Sequence, residues 1–152
     1  MNKNLYKLSF DKDSFELNYD YERLADYEKE IISNMSVDTF FDYDSNDFKY
    51  ICFFITDTES IKSYVSILKN NLIKYELNNI SNLVIENKID IESDIIKTIS
   101  PTSQIKFNIF IEDVNYWILQ NLDIDIVLDR ISEVGGLDNL RQVEKEFLKK
   151  YK

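Results

Sequence analysis

Apolar and polar residues alternate over Leu5–Phe10 and again over Phe15–Tyr19, the two-residue period of a β-strand. The link between them, Asp11-Lys12-Asp13-Ser14, is polar, so the pair predicts a hairpin. From Tyr21 to about Met35 the period changes. Leu24, Tyr27, Ile31 and Met35 make one helical stripe, with Asp26, Glu30 and Ser33 mostly on the other side and Asp20 as N-cap. Ser36 to Asp47 reads as irregular. Phe48–Thr56 is the clearest strand, rich in aromatic and β-branched residues and apolar on both faces, as expected of a central strand covered on each side. A helix follows, capped by Thr56 or Asp57, with Ile61, Tyr64, Val65, Leu68, Leu72 and Tyr75 on its stripe and an expected end near Lys74.

The second half is denser in apolar residues. Glu76–Asn87 fits a helical turn or a short strand. Ile89–Ile99 predicts a helix closed by Ser100-Pro101. Ile105, Phe107, Ile109 and Ile111 alternate with polar residues, so Gln104–Glu112 predicts a strand. Asp113 then caps a short helix through Val114, Trp117, Ile118 and Leu122. The tail predicts a helical hairpin. Its first helix starts at Asp123 or Asp125, carries Ile124, Val127, Leu128, Ile131 and Val134, and stops at Gly135-Gly136. Its second is capped by Asp138, buries Leu140, Val143, Phe147, Leu148 and Tyr151, and ends in Lys149, Lys150 and Lys152, where the helix dipole favours cations.

The order β-β-α-β-α-(β)-α-β-α-α-α predicts an α+β fold: a small mixed or antiparallel sheet covered by helices, with a C-terminal helical hairpin. The 152 residues suit one domain. A helical subdomain over residues 113–152 is the alternative division.

Composition then narrows the chemistry. Histidine is absent and cysteine occurs once, which excludes Ser-His-Asp and Cys-His catalysis, a His/Cys zinc site and an intramolecular disulfide. The 21 Ile, 15 Asn and 15 Lys beside a single Ala are the usage that AT-rich codons produce, so the ten Tyr and ten Phe carry less weight as signs of a binding surface. Met1–Phe10 lacks the apolar stretch of a signal peptide. The run Ile51–Ile55 falls far short of the roughly 20 residues that span a bilayer. Cys52, inside that run, is expected in the core of a reduced, cytoplasmic protein.

The net charge is −10, and its distribution is uneven. Residues 11–60 hold 14 acids against four bases, whereas residues 61–152 hold 14 against 12. Such a balance argues against gripping nucleic-acid phosphates. A concentrated negative field steers a basic partner, although acids also serve simply to keep a small domain soluble.

No residue pattern specifies catalysis or a cofactor. Asp42-Tyr43-Asp44-Ser45-Asn46-Asp47 starts like a calcium loop, but Asp47 stands where the turn needs Gly and Phe53 where a bidentate Glu is needed. The 28 acids show no selective spacing for glycoside or metal-dependent phosphoryl chemistry, and no Gly-rich phosphate loop exists. Catalytic, cofactor and metal residues are therefore none. The remaining candidate is the aromatic-acidic stretch, with Asp38, Phe41, Asp42, Tyr43, Asp44 and Asp47 as partner-binding residues. Aromatics supply contact area and carboxylates accept arginine. The competing reading is that Phe40, Phe41 and Phe48 cover the sheet edge. Trp117, on an apolar stripe, is expected in the core.

Two resemblances add to this. Asp125-Ile126-Val127-Leu128-Asp129-Arg130-Ile131-Ser132-Glu133-Val134-Gly135, with Leu140 and Glu144-Lys145-Glu146-Phe147-Leu148, resembles a short C-terminal segment shared by many otherwise unrelated bacterial proteins. In them a Leu-Asp-Lys-Ile-Ser-Glu-x-Gly helix precedes a Glu-Lys-x-Phe-Leu helix. Here Arg130 replaces the usual Lys and Gly136 is extra, and the segment implies no activity. In size, acidity and element mix the whole chain is similar to immunity proteins of bacterial polymorphic-toxin systems, which block a toxin domain. That resemblance implies a non-enzymatic, cytoplasmic inhibitor whose partner is a basic toxin or nuclease domain, with no direct nucleic-acid or membrane binding. A phage inhibitor of a host defence nuclease uses the same physics. An adaptor docking through the terminal helical hairpin is the alternative from another class.

Overall fold

The computed structural model describes residues 3–35, 39–44, 48–96 and 103–151. Four strands form one antiparallel sheet in the order β2-β3-β1-β4, with helices on both faces: the α+β class that the sequence predicts. The inner strands are β1 (Asn4–Asp11) and β3 (Lys49–Thr56), in register from Asn4–Thr56 to Asp11–Lys49. β2 (Thr39–Asp44) extends the sheet beside β3, and β4 (Tyr75–Asn79) extends it beside β1. β3, α3 (Thr58–Asn70) and β4 form a β-α-β unit whose two parallel strands are separated by β1.

Period-two side chains divide the core in two. Tyr6, Leu8, Phe10, Cys52 and Phe54 join Ile61 and Leu68 of α3 and Ile73 on one face. Beside them lie α1 (Lys12–Asn18) and α2 (Asp26–Met35), the latter packed on α3. Leu5, Phe53 and Ile55 point the other way. There α4 (Ser81–Ile85), α5 (Ile91–Ile96), α6 (Gln104–Asn121), α7 (Ile124–Val134) and α8 (Gln142–Tyr151) supply Val84, Ile95, Phe107, Phe110, Val127 and Val143. β3 is thus covered on both sides, as expected, and Cys52 is buried. Trp117 is also in the core, and its indole N–H donates to Lys3 O at 2.9 Å.

Several elements differ from the sequence reading. Residues 15–19 belong to α1 and its C-cap, not to a strand. Both edges of β1 are already taken by β3 and β4, so no ladder is open to residues 15–19. The Asp11 carboxylate accepts the Ser14 N–H at 2.8 Å and starts a helix instead. Replacing Asp11 with alanine is expected to lower stability by about 1 kcal/mol, read as a shifted urea midpoint at unchanged slope. Asp20 does cap, but only a 3-10 turn, Tyr21–Arg23. The chain extends at Leu24 before α2 begins, where Glu28 accepts the Ala25 N–H. Part of the expected irregular stretch is strand β2.

Asp57 caps α3 as predicted, and the Ser60 amide, then its hydroxyl, hold the Asp57 carboxyl below its usual range. The helix ends at Asn70, short of Lys74, because Leu72 turns into the left-handed region (φ 60). Glu76–Asn87 resolves into the end of β4 and α4. The helix expected over Ile89–Ile99 is described for Ile91–Ile96, and residues 97–99 lie outside the described residues. The largest correction is Gln104–Glu112, which is the first half of α6, with Asp113 inside it rather than at a cap. A boundary at residue 113 would cut this helix. Asp123 caps α7 and Gly135 (φ 80) ends it. Asp138 lies in a 3-10 turn, Leu137–Asn139; the start of α8 is closed by Glu144, which accepts the Arg141 N–H at 2.9 Å.

Candidate partner surface

Of the residues expected to meet a partner, Asp38 and Asp47 lie outside the described residues, and Phe41, Asp42, Tyr43 and Asp44 occupy edge strand β2. The ladder sets Phe41 opposite Phe53 and Tyr43 opposite Ile51, and Asp42 opposite Cys52 and Asp44 opposite Tyr50. Positions 41 and 43 therefore pair with the β3 parity of the α6 side, and positions 42 and 44 with the parity of the α1 side. The register alone thus gives positions 42 and 44 the opposite parity from positions 41 and 43.

Other acids of the segment lie on α1, the 3-10 turn and α2. Asp13, Glu16, Asp20, Glu22, Asp26 and Glu30 are all exposed. Asp11 and Glu28 are used internally. Asp11 caps α1, and buried Glu28 accepts both the Ala25 N–H and the Asn71 side-chain amide, the latter at 3.2 Å.

Named contacts fix α1 against its neighbours. The Lys12 N–H donates to Phe48 O at 2.9 Å, tying α1 to the start of β3. Tyr50 Oη donates to Glu16 Oε1 at 3.3 Å. Phe15 stacks on Tyr19 with centroids 4.6 Å apart and meets Phe10 at 5.1 Å. Burial, and then the neighbouring Tyr21, push the Tyr19 phenol up. Asn18 Nδ2 donates to Leu72 O at 3.2 Å, bringing the end of α1 to the end of α3.

Large apolar groups stand out among the acids. Leu17 is 83% exposed and Tyr27 60%, and Tyr21 and Phe48 are exposed as well. Residues 11–35 hold eight acids and three bases. Arg23 pairs with Asp20 at 3.3 Å, Lys29 lies over the Tyr21 ring at 5.3 Å and Lys12 over Tyr50 at 5.1 Å. Exposed Lys62 and Lys69 add positive charge along α3, whereas α1, the 3-10 turn and α2 carry an excess of exposed acids.

Sequence reasoning found the acidic bias but missed Leu17, Tyr21 and Tyr27 as surface groups. It placed Leu17 on a strand face and Tyr27 on a buried stripe. The Asp11-x-x-Ser14 spacing was the available signal for α1, because Asp three positions before a small hydroxyl residue reads as a cap as readily as a turn.

A second polar cluster lies in the other layer. Glu144, fully buried, accepts Arg130 Nε at 3.2 Å and Arg141 Nε at 3.1 Å. Arg130 also reaches Glu133 at 3.0 Å. The Arg141 guanidinium donates to Val84 O at 2.7 Å and to Ile85 O, closing the end of α4. A cleft of about 300 Å³ beside it is floored by Val84, Ile91, Val114, Ile118 and Val143. Arg141 has its hydrogen bonds committed to Glu144 and the two carbonyls, so it acts as a structural tie between α8 and α4.

Among the described residues no helix is long and apolar enough to cross a membrane. No protein-family model, curated protein or solved structure matches this chain.

Proposed function

We propose that this chain is a non-enzymatic inhibitor that binds a basic protein partner through the α1–α2 face and the adjoining β2–β3 hairpin. The reading it fits best is a cytoplasmic immunity protein that covers the basic active site of a nuclease-type toxin. One observation supports it above the others: six exposed carboxylates and exposed Leu17, Tyr21 and Tyr27 lie on consecutive elements, α1, the 3-10 turn and α2. Carboxylates in such a field speed encounter with a cationic protein and take up arginines, and aromatic groups supply the desolvated contact that holds it. Docking through the tail is the weaker reading, because Val127, Leu140 and Val143 are buried in the same cluster as Leu5 and Phe53.

The test is calorimetry and stopped-flow association with the product of the adjacent gene. Tight binding is expected, with an association rate that falls steeply with salt. Replacing Asp20, Glu22 and Asp26 together by Asn, Gln and Asn should slow association about tenfold or more at low salt. Replacing Asp42, Asp44 and Asp47 by Asn measures the contribution of the hairpin. Undiminished rate and affinity in both triple variants would reject this face.

A further inference from the structure

We infer that the outer edge of β4 is a self-association surface, pairing antiparallel with β4 of a second copy so that two sheets join into one of eight strands. This goes beyond the binding of a basic partner and uses a different part of the surface. The bonds that bracket the β1–β4 ladder, Asp11 N–H to Lys74 O and Ile80 N–H to Leu5 O, both 2.9 Å, set its phase. Glu76 and Asn78 exchange bonds with Ser9 and Lys7. The backbone groups of Tyr75, Leu77 and Asn79 therefore point away from β1. β4 is exposed at every residue except Leu77, which is half-buried, so no other element covers this edge among the described residues. An uncovered edge is a template for another strand.

The sequence of β4 fits its own copy. A two-fold axis at Leu77 sets Leu77 against Leu77 and Tyr75 against Asn79, which are the outward-bonding positions. It also sets Glu76 against Asn78, so no like charges meet across the pair. At each end the same axis brings the turn carrying Leu72 level with the start of α4 in the other copy, which carries Leu83. Both leucines are exposed. Residues 71–80 hold one lysine and one glutamate, so this strand and its flanks carry no net charge to repel a second copy.

The test is sedimentation velocity on the full chain from micromolar to near-millimolar concentration, with amide hydrogen exchange at both limits. The wild type should move from monomer to dimer, and the amides of Tyr75, Leu77 and Asn79 should gain protection only in the dimer. Asn78→Glu sets Glu76 against a new glutamate twice across the axis and should weaken the dimer about tenfold. Within its own sheet that glutamate faces Lys7, so the fold is retained. Tyr75→Pro removes an outward N–H without touching the β1 ladder and should abolish the dimer, with circular dichroism confirming the fold. A wild type that stays monomeric throughout, or a dimer indifferent to both substitutions, would overturn the inference.

Discussion

Replacing Glu144 with alanine is expected to destabilise the chain by about 3–5 kcal/mol, a large share of the stability of a domain this size. Glu144 is the common acceptor for Arg130, for the Arg141 guanidinium and for the Arg141 amide. Its loss leaves Arg130, itself buried, with only the exposed Glu133 as ion-pair partner, and uncaps α8. Denaturant unfolding measures the effect. Isolated loss of the cap alone would give about 1 kcal/mol, so the size of the effect identifies the cause. The same group makes stability depend on pH. Burial pushes the Glu144 carboxyl up, but hydrogen bonds from the Arg141 side chain and amide, with the charges of Arg141 and Arg130, outweigh it and hold the carboxyl below the ordinary glutamate range. A depressed folded-state pKa adds stability that is complete above the unfolded value and drains away as pH falls through the folded one. Glu144→Gln should therefore flatten the acid side of the stability profile while leaving part of the hydrogen bonding in place.

Phe107→Ala is expected to cost about 3–5 kcal/mol, whereas Ile109→Ala should change stability by less than about 0.5 kcal/mol. Phe107 is 1% exposed and Ile109 56%. The contrast discriminates between periods, since a strand would put residues 105, 107, 109 and 111 on one face and make both truncations costly. Thermal or urea unfolding of the two variants decides it. Equal losses would contradict a helix over residues 104–121.

Why that segment misleads is instructive. Ile105, Phe107, Ile109 and Ile111 alternate, but Phe107, Phe110, Val114, Trp117 and Ile118 recur at helical spacing. Apolar residues are so dense that a nine-residue window fits both periods. Only the full span of α6 separates them, with Ile105 left 73% exposed. β3 and α3 were legible because a single period accounts for each and Asp57 marks the junction. β2 was hidden by Asp42 and Asp44, residues depleted in strands, and β4 by having one half-buried side chain. Both are strands because β3 and β1 offer them ladders, which no local pattern encodes. The acidic bias of residues 11–60 was legible from counting. The helical placement of residues 12–18 was not, because it depends on both edges of β1 being taken and on Asn18 meeting the end of α3.

Trp117 is the only tryptophan in the chain, and its hydrogen bond to Lys3 O spans 114 positions. It sits where the first strand meets the longest helix. Its emission spectrum is therefore an intrinsic optical gauge of whether the leading segment has docked, and a red shift on dilution into denaturant would time the opening of that seam without any added label.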